Sequence, residues 1–218
     1  MKARNIFIVI IFAGVFFSCK PKEPRYIIET TMGNIKVKLY KETPLHKDNF
    51  EKLVSEQFYD NVQFHRVIRN FMIQAGNVKT KQLAPGERPP MEEEVENTIS
   101  AEFVPQLYHK RGALAAARKD DYVNPEKRSS GLQFYIVQGR TYSDNELNEL
   151  EYHIQKKFTI IQRNTYKKQG GTPFLDDNYT VFGEVIEGMD VVDKIAASPT
   201  DSGDWPVNEI RILRIIKD

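Results

Sequence analysis

The order of apolar and polar residues predicts a chain of mainly β-structure with few helices. Over residues 27–39, apolar and polar positions alternate on both sides of a Met32-Gly33-Asn34 turn, which predicts a β-hairpin with one face in water. Helical spacing follows Thr43-Pro44, an N-cap with a first-turn proline, and returns at Met189–Ala196. The remaining short apolar runs predict an antiparallel sheet that closes into a barrel; they cover residues 62–68, 71–74, 113–117, 134–137, 180–185 and 210–216.

A different pattern interrupts the strands from about residue 141 to residue 172. Ser143 and Glu146 match a capping box, and Gly170-Gly171 ends the segment. The pattern predicts one amphipathic helix of five or more turns, with Leu147, Leu150, Ile154, Phe158 and Ile161 on one face. Such a helix could gate a site or bind a partner, or it could simply pack its apolar face on the barrel.

The first eighteen residues differ from the rest in composition. Lys2 and Arg4 precede an apolar run over residues 6–17, as in a secretory signal. This run spans about 18 Å of helix, less than the hydrocarbon core, so a permanent transmembrane helix is the poorer interpretation. Cys19 directly follows Ser18, which resembles a bacterial lipoprotein signal in which the thiol is diacylated. Because two Phe residues precede Ser18 where that motif usually has Leu and a small residue, an uncleaved anchor or a free buried thiol stays open.

These features divide the chain into a signal at residues 1–18, a tether at 19–25 and one folded domain at 26–218. The 218 residues carry 31 Lys+Arg against 30 Asp+Glu, and this balance argues against a nucleic-acid-binding protein. Cleavage would remove Lys2 and Arg4 and leave a slightly acidic domain. Cys19 is the single cysteine, so its acylation would exclude disulfides, a Cys-based metal site and a cysteine nucleophile.

Standard catalytic and metal-binding motifs are absent from the sequence. It has no Gly-rich phosphate loop and no Gly-x-Ser-x-Gly elbow. The four histidines are too scattered to form a spaced metal pair, and each is interpreted as a surface or a satisfied structural residue: His46, His65, His109 and His153.

Residues 64–76 are the exception. Strand alternation places Arg66 on one face with Phe64 and Ile68, and a guanidinium among apolar neighbours needs a partner or a ligand. From this pattern alone, a rim ion pair for Arg66 and a plain core role for Phe71 and Met72 stay open.

The same segment resembles the central motif of the cyclophilin family of peptidyl-prolyl cis/trans isomerases. Residues 109–118, 129–136 and 174–185 resemble further blocks of the family, in the family's order. The resemblance implies a closed eight-stranded antiparallel barrel capped by two helices, with the helical insertion added. It also implies an enzyme that accelerates rotation about X-Pro bonds, without a cofactor or a metal.

The resemblance assigns a role to each matching residue. Arg66 matches the catalytic arginine, and Gln74 matches the glutamine that holds the substrate backbone, with Gln133 nearby. The positions that match the proline pocket are Phe71, Met72, Tyr135 and Leu175. Ala117 and Arg118 match main-chain groups that bind the residue before proline. Phe174 and Tyr179 stand at the pocket edge where many members have Trp and His, and this resembles bacterial members that bind cyclosporin weakly.

Two hypotheses from different classes follow. The first is an exported isomerase, attached to the bacterial cell envelope by lipid on Cys19, that acts on proline-containing unfolded or nascent polypeptides. The second is a peptide-binding module or holdase that has the cyclophilin fold and acts through its insertion. A ligand-binding barrel lipoprotein is a third class, which no feature of the sequence favours.

Overall fold

The computed structural model describes residues 23–84, 86–89 and 97–218. The strands of this part are β1 (Arg25–Thr30), β2 (Gly33–Leu39), β3 (Arg66–Ile68), β4 (Met72–Ala75), β5 (Thr98–Ile99), β6 (Ala113–Ala116), β7 (Ser129–Ser130), β8 (Phe134–Val137), β9 (Val181–Glu187) and β10 (Ile212–Lys217). Its helices are α1 (Pro44–Ser55), α2 (Asp144–His153), α3 (Ile160–Lys168) and α4 (Met189–Ala196), with short 3-10 turns at Val78–Thr80 and Pro173–Leu175.

Eight strands form one curled antiparallel sheet in the order β10-β1-β2-β9-β6-β8-β4-β3, and β5 pairs with β7 separately. The prediction of a closed barrel was wrong, because the strand ladder ends at β3 and β10. Between these edges the described residues form an isolated Gln63–Arg211 bridge, with backbone hydrogen bonds of residues 61–64 to residues 210 and 212. The three-residue β3 cannot continue the ladder, since the Val67 N–H donates to the carbonyl of the loop residue Asp204 at 2.8 Å.

Strand alternation gives the sheet two apolar faces. The larger core lies on one face, where α1 contributes Phe50 and Leu53 and α4 contributes Val192 and Ile195. Burying four such side chains stabilises the fold by roughly 1.5–3 kcal/mol each. The second cluster lies on the opposite face, and its buried members are Tyr40, Met72, Ala113, Ala115, Ala117, Tyr135, Val137, Leu175 and Val181.

The start of α1 differs from the prediction in its chemistry. Thr43 is at the N-cap position and Pro44 begins the helix, as expected, but the Thr43 side chain makes no capping hydrogen bond. The carboxylate of Glu102 instead accepts the N–H groups of Leu45 and His46 at 3.1 and 3.0 Å. Glu102, more than fifty positions away in sequence, therefore satisfies free N–H groups in the first turn of the helix.

The insertion contains two helices, so the prediction of one long helix was wrong. Ser143 and Glu146 form the expected capping box of α2, and Thr159 and Gln162 form a second box that begins α3. The extended backbone that Thr159 needs as an N-cap ends any continuous helix before it. A small third buried cluster lies between the helices and consists of Leu147, Phe158 and Tyr166. Ile161, which was predicted to lie on the apolar face, is instead 72% exposed.

The predicted signal and Cys19 lie outside the described residues. β1 begins at Arg25, the last residue of the predicted tether. Within the described ranges, no helix combines the length and the apolar character needed to cross a bilayer.

Candidate active site

The candidate site lies on the sheet face that carries the second cluster. Arg66 on β3 is directly opposite Gln74 on β4, Gln74 is opposite Tyr135 on β8, and Tyr135 is opposite Ala115 on β6. Directly opposed residues of neighbouring strands project to the same face. Strand register therefore places a guanidinium, an amide and a phenol in one row.

The apolar part of the site lies beside this row. Met72, Tyr135 and Leu175 are buried, and Phe71 packs partly buried against them. The Phe71 and Phe174 rings are 5.6 Å apart, and Phe174 is 41% exposed. On β6 the same cluster contains only the small side chains of Ala113 and Ala115. We call this apolar surface the recess; surfaces of this kind accept small apolar groups.

Arg66 lies at the edge of the recess in a loose ion pair. Its Nε is 3.4 Å from Oδ2 of Asp204, and the two side chains are 44% and 41% exposed. Such exposed ion pairs contribute at most about 1 kcal/mol to the stability of the fold. The other guanidinium N–H groups of Arg66 make no hydrogen bond within the described part of the chain. The rim ion pair that the sequence left open thus exists, and it leaves donors available to a ligand.

Gln74 and Gln133 meet as expected, since Nε2 of Gln74 donates to Oε1 of Gln133 at 3.0 Å. The main-chain groups of Ala117 are already used: its N–H donates to the Gln133 carbonyl at 3.0 Å, and its carbonyl accepts from Ser130 N–H at 2.7 Å. Those of Arg118 have no hydrogen-bond partner among the described residues. Of the two positions expected to bind substrate through the main chain, Arg118 is the more available.

The Arg118 side chain is fixed inside the fold. Its Nε donates to the Asn178 carbonyl at 2.6 Å, its Nη1 is 2.5 Å from Asp121, and its guanidinium lies 4.5 Å from the centre of the Tyr179 ring. The Tyr179 ring in turn packs edge-on against Tyr135. Arg118 therefore supports the pocket wall, in addition to offering its main chain.

A buried hydrogen-bond network behind the pocket was not predicted. The Tyr135 hydroxyl is 3.0 Å from Nε2 of His109, and Nδ1 of His109 is 2.9 Å from Oδ1 of Asp176. The same oxygen accepts the His109 N–H at 2.9 Å, and Oδ2 accepts the Tyr166 hydroxyl at 2.6 Å. The network connects Tyr135, in the pocket, to α3 of the insertion.

Protonation in this network follows from burial. Burial raises the pKa of Tyr135 well above its ordinary value, so its hydroxyl keeps its proton. Because the Asp176 carboxylate can only accept, the proton between the two groups is assigned to Nδ1 of His109, which donates to Asp176. The interpretation of His109 as a satisfied structural residue is confirmed. No spacing signal could have revealed Asp176 as its partner, because 67 positions separate them.

His65, next to Arg66, gives a pH-dependent prediction. Burial lowers the pKa of His65 to about 4, whereas a histidine in an unfolded chain titrates near 6.5. Between these values the unfolded state takes up a proton that the folded state does not, so stability falls as the pH falls through this window. We expect urea titrations to show this loss between pH 6.5 and 4, and His65→Gln to reduce it.

Burial also lowers the pKa of His46, so the His65→Gln variant should retain part of the slope. His153→Gln, at an exposed histidine, is the matched control and should leave the slope unchanged. An identical pH dependence in wild type and His65→Gln would contradict the assignment.

Within the described ranges, no group of three or more His, Cys, Asp or Glu residues is arranged to hold a metal ion. What the site offers is a cationic donor beside an apolar recess, with an amide and main-chain groups along its edge. Such an arrangement can bind an apolar ring and donate hydrogen bonds to an adjoining amide without forming a covalent bond.

Comparison with known proteins agrees with this geometry. The family profile described as cyclophilin type peptidyl-prolyl cis-trans isomerase/CLD matches residues 25–217. A peptidyl-prolyl cis-trans isomerase of Acinetobacter baylyi is 33% identical over 197 residues, covering 89% of this chain and 84% of the relative. A putative peptidyl-prolyl cis-trans isomerase of Staphylococcus epidermidis is 30% identical over 194 residues, covering 88% and 91%.

Solved structures show the same fold. A cyclophilin type peptidyl-prolyl cis-trans isomerase of Cryptosporidium parvum aligns with a TM-score of 0.65 at 23% identity, covering 90% of this chain and 98% of that one. Its structure in the presence of the dipeptide Ala-Pro aligns with a TM-score of 0.62, covering 88% and 97%.

Proposed function

The chain belongs to the cyclophilin type peptidyl-prolyl cis-trans isomerase family and is an enzyme of that class, and we propose that it accelerates X-Pro rotation in exported polypeptides through Arg66 and the apolar recess. One observation carries the proposal: Arg66 has guanidinium N–H groups without a hydrogen-bond partner among the described residues, and it lies beside the apolar cluster that contains Met72, Tyr135 and Leu175.

The reaction asks for stabilisation of a twisted amide. Resonance gives the amide C–N bond partial double-bond character, and the barrier to its rotation is about 18–20 kcal/mol. As the bond twists, the proline nitrogen regains a lone pair, and a guanidinium N–H can meet it with a charge-assisted hydrogen bond. Because this interaction is stronger in the twisted state than in the planar one, it lowers the barrier.

The recess supplies the second requirement, a fixed ring. With the proline ring held among Met72, Tyr135 and Leu175, only the preceding carbonyl side of the amide needs to turn. Gln74, opposite Arg66, is placed to hold the adjoining backbone, and its bond to Gln133 restricts its side chain. Both donors therefore act on the amide from the same row of the sheet.

The direct test is the cis-to-trans relaxation of an Ala-Pro peptide with the purified protein. We expect micromolar protein to accelerate relaxation measured by exchange NMR, which needs no coupled protease. A rate equal to that of the peptide alone would contradict the proposal.

Deleting residues 143–169 would not be a clean test of the alternative, a holdase that acts through the insertion. Tyr166 is fully buried and hydrogen-bonded to Asp176, so that deletion would open the pocket wall. Client aggregation should instead be followed with Arg66→Ala. Suppression of aggregation by a variant without isomerase activity would favour the holdase.

We also propose attachment to the cell envelope through Cys19, where two or three acyl chains suffice for stable anchoring. Cys19→Ala should release the protein from the membrane or block its processing, measured by fatty-acid labelling and membrane partitioning. Unchanged labelling and partitioning would contradict attachment at Cys19.

Weak cyclosporin binding remains part of the proposal. Phe174 presents a phenyl ring without a hydrogen-bond donor at the pocket edge, where many members have Trp. We expect a cyclosporin titration, followed by intrinsic fluorescence, to show weak binding. Tight binding would contradict this expectation.

A further inference from the structure

An open groove continues from the recess across the first helix of the insertion. Phe71 and Phe174, the aromatic pair at the edge of the recess, form one end of its lining. The remaining lining residues come from the β3–β4 turn, the segment after β8, and α2: Asn70, Arg140, Tyr142, Glu146, Glu149, Leu150 and His153.

The insertion that forms this wall is fixed to the pocket. The Tyr166 hydroxyl donates to Asp176, the residue directly after Leu175, and the Tyr142 N–H donates to the Tyr166 carbonyl at 3.2 Å. Leu150 and Tyr142 also pack against the buried cluster of Leu147 and Tyr166. A wall held by buried contacts is preorganised, so a ligand does not have to order it on binding.

Strand register gives the groove a direction relative to the substrate. Arg66 and Gln74 lie level with Tyr135, while Met72, at the start of β4, and then Phe71, just before β4, lie farther from Gln133. If Arg66 and Gln74 hold the amide, the chain that leaves the proline carbonyl runs past Phe71 toward α2. From Glu146 to His153, α2 rises about 10 Å, which matches about three extended residues.

The two carboxylates that line the groove differ in how they are paired. Arg140 and Glu146 compensate each other at 2.7 Å, and the Arg140 guanidinium stacks on Tyr142 at 4.0 Å. Glu149, one turn farther along α2, is exposed and makes no hydrogen bond or ion pair with other described residues. The groove thus combines apolar surface with one uncompensated carboxylate.

We propose that this groove binds the roughly three substrate residues that follow the proline, and that Glu149 favours a lysine or arginine among them. The inference rests on the proposed function, which fixes the direction of the chain. It gives the insertion a role in substrate choice, in addition to packing on the sheet.

The test compares two peptides that share Ala-Pro-Phe and continue with either Lys or Glu. We expect wild type to prefer the Lys peptide by about two- to five-fold in kcat/KM at low salt, the range for one exposed ion pair. The charge reversal Glu149→Lys should invert this preference, and high salt should weaken it in both proteins. The matched control Glu56→Lys, at the C-cap of α1 on the other face of the sheet, should keep the wild-type ratio.

The Kd of each labelled peptide, measured by fluorescence anisotropy, separates the two proposals. Wild-type protein that binds the Lys peptide more tightly but accelerates neither would overturn the proposed function and leave the groove assignment standing. Isomerase activity with the same Lys-to-Glu ratio in wild type and Glu149→Lys would overturn the groove assignment alone. Self-association that Glu149→Lys abolishes, without any peptide preference, would assign the groove to a second copy of the chain instead.

Discussion

Arg66→Ala is expected to lower kcat/KM for an Ala-Pro peptide by about 10²- to 10³-fold, the usual loss when one preorganised electrostatic donor is removed. Among the described residues the guanidinium has one ion pair, with Asp204, and this pair is long and exposed, so the guanidinium remains free to donate to a substrate. Peptide affinity should change much less, because Met72, Tyr135 and Leu175 still hold the proline ring.

Two further variants separate this effect from a general loss of positive charge. Arg69→Ala removes an exposed arginine from the turn between β3 and β4. It should leave the rate within about two-fold of wild type, because the Arg69 side chain has no hydrogen bond or ion pair with other described residues. Arg66→Lys keeps the charge but loses the planar fork, and it should recover only part of the activity. Full activity in Arg66→Ala would contradict the proposed chemistry.

Asp176→Asn is expected to lower the free energy of unfolding by about 2–4 kcal/mol, measured by urea titration. The carboxylate accepts three hydrogen bonds in the interior, from the His109 N–H, the His109 ring and the Tyr166 hydroxyl. An asparagine keeps one side-chain acceptor and turns an N–H toward a donor, and each buried group left unsatisfied costs about 1–3 kcal/mol.

Asp177→Asn is the matched control, one residue along the chain. Asp177 is exposed and pairs with Lys156 at the surface, and asparagine tolerates its positive φ of 62°. We expect a change below about 1 kcal/mol there. Equal destabilisation by the two substitutions would show that the network does not support the pocket wall.

Local sequence patterns predicted much of the fold because they depend on near neighbours. The hairpin of β1 and β2, the strands around residues 66–75 and the bounds of α4 follow from alternation and helical spacing. The capping box at Ser143 also formed as expected. The second capping box, at Thr159, lies in the same stretch. It was not predicted because apolar residues recur at helical spacing on both sides of it, and this pattern favoured one continuous helix.

Features that depend on distant partners could not be predicted. The cap of α1 by Glu102, the partial closure between Gln63 and Arg211, and the bond between His109 and Asp176 all join positions far apart in sequence. Resemblance to a family supplied the site positions instead. It did not indicate that the main chain of Ala117 is already hydrogen-bonded, which only the completed sheet reveals.

The most direct test of the central claim is exchange NMR on one Ala-Pro peptide with catalytic amounts of wild type and of Arg66→Ala under identical conditions. The proposed mechanism predicts rapid cis–trans exchange with wild type and exchange close to the uncatalysed rate with the variant. No acceleration by wild type, or equal acceleration by both proteins, would contradict it.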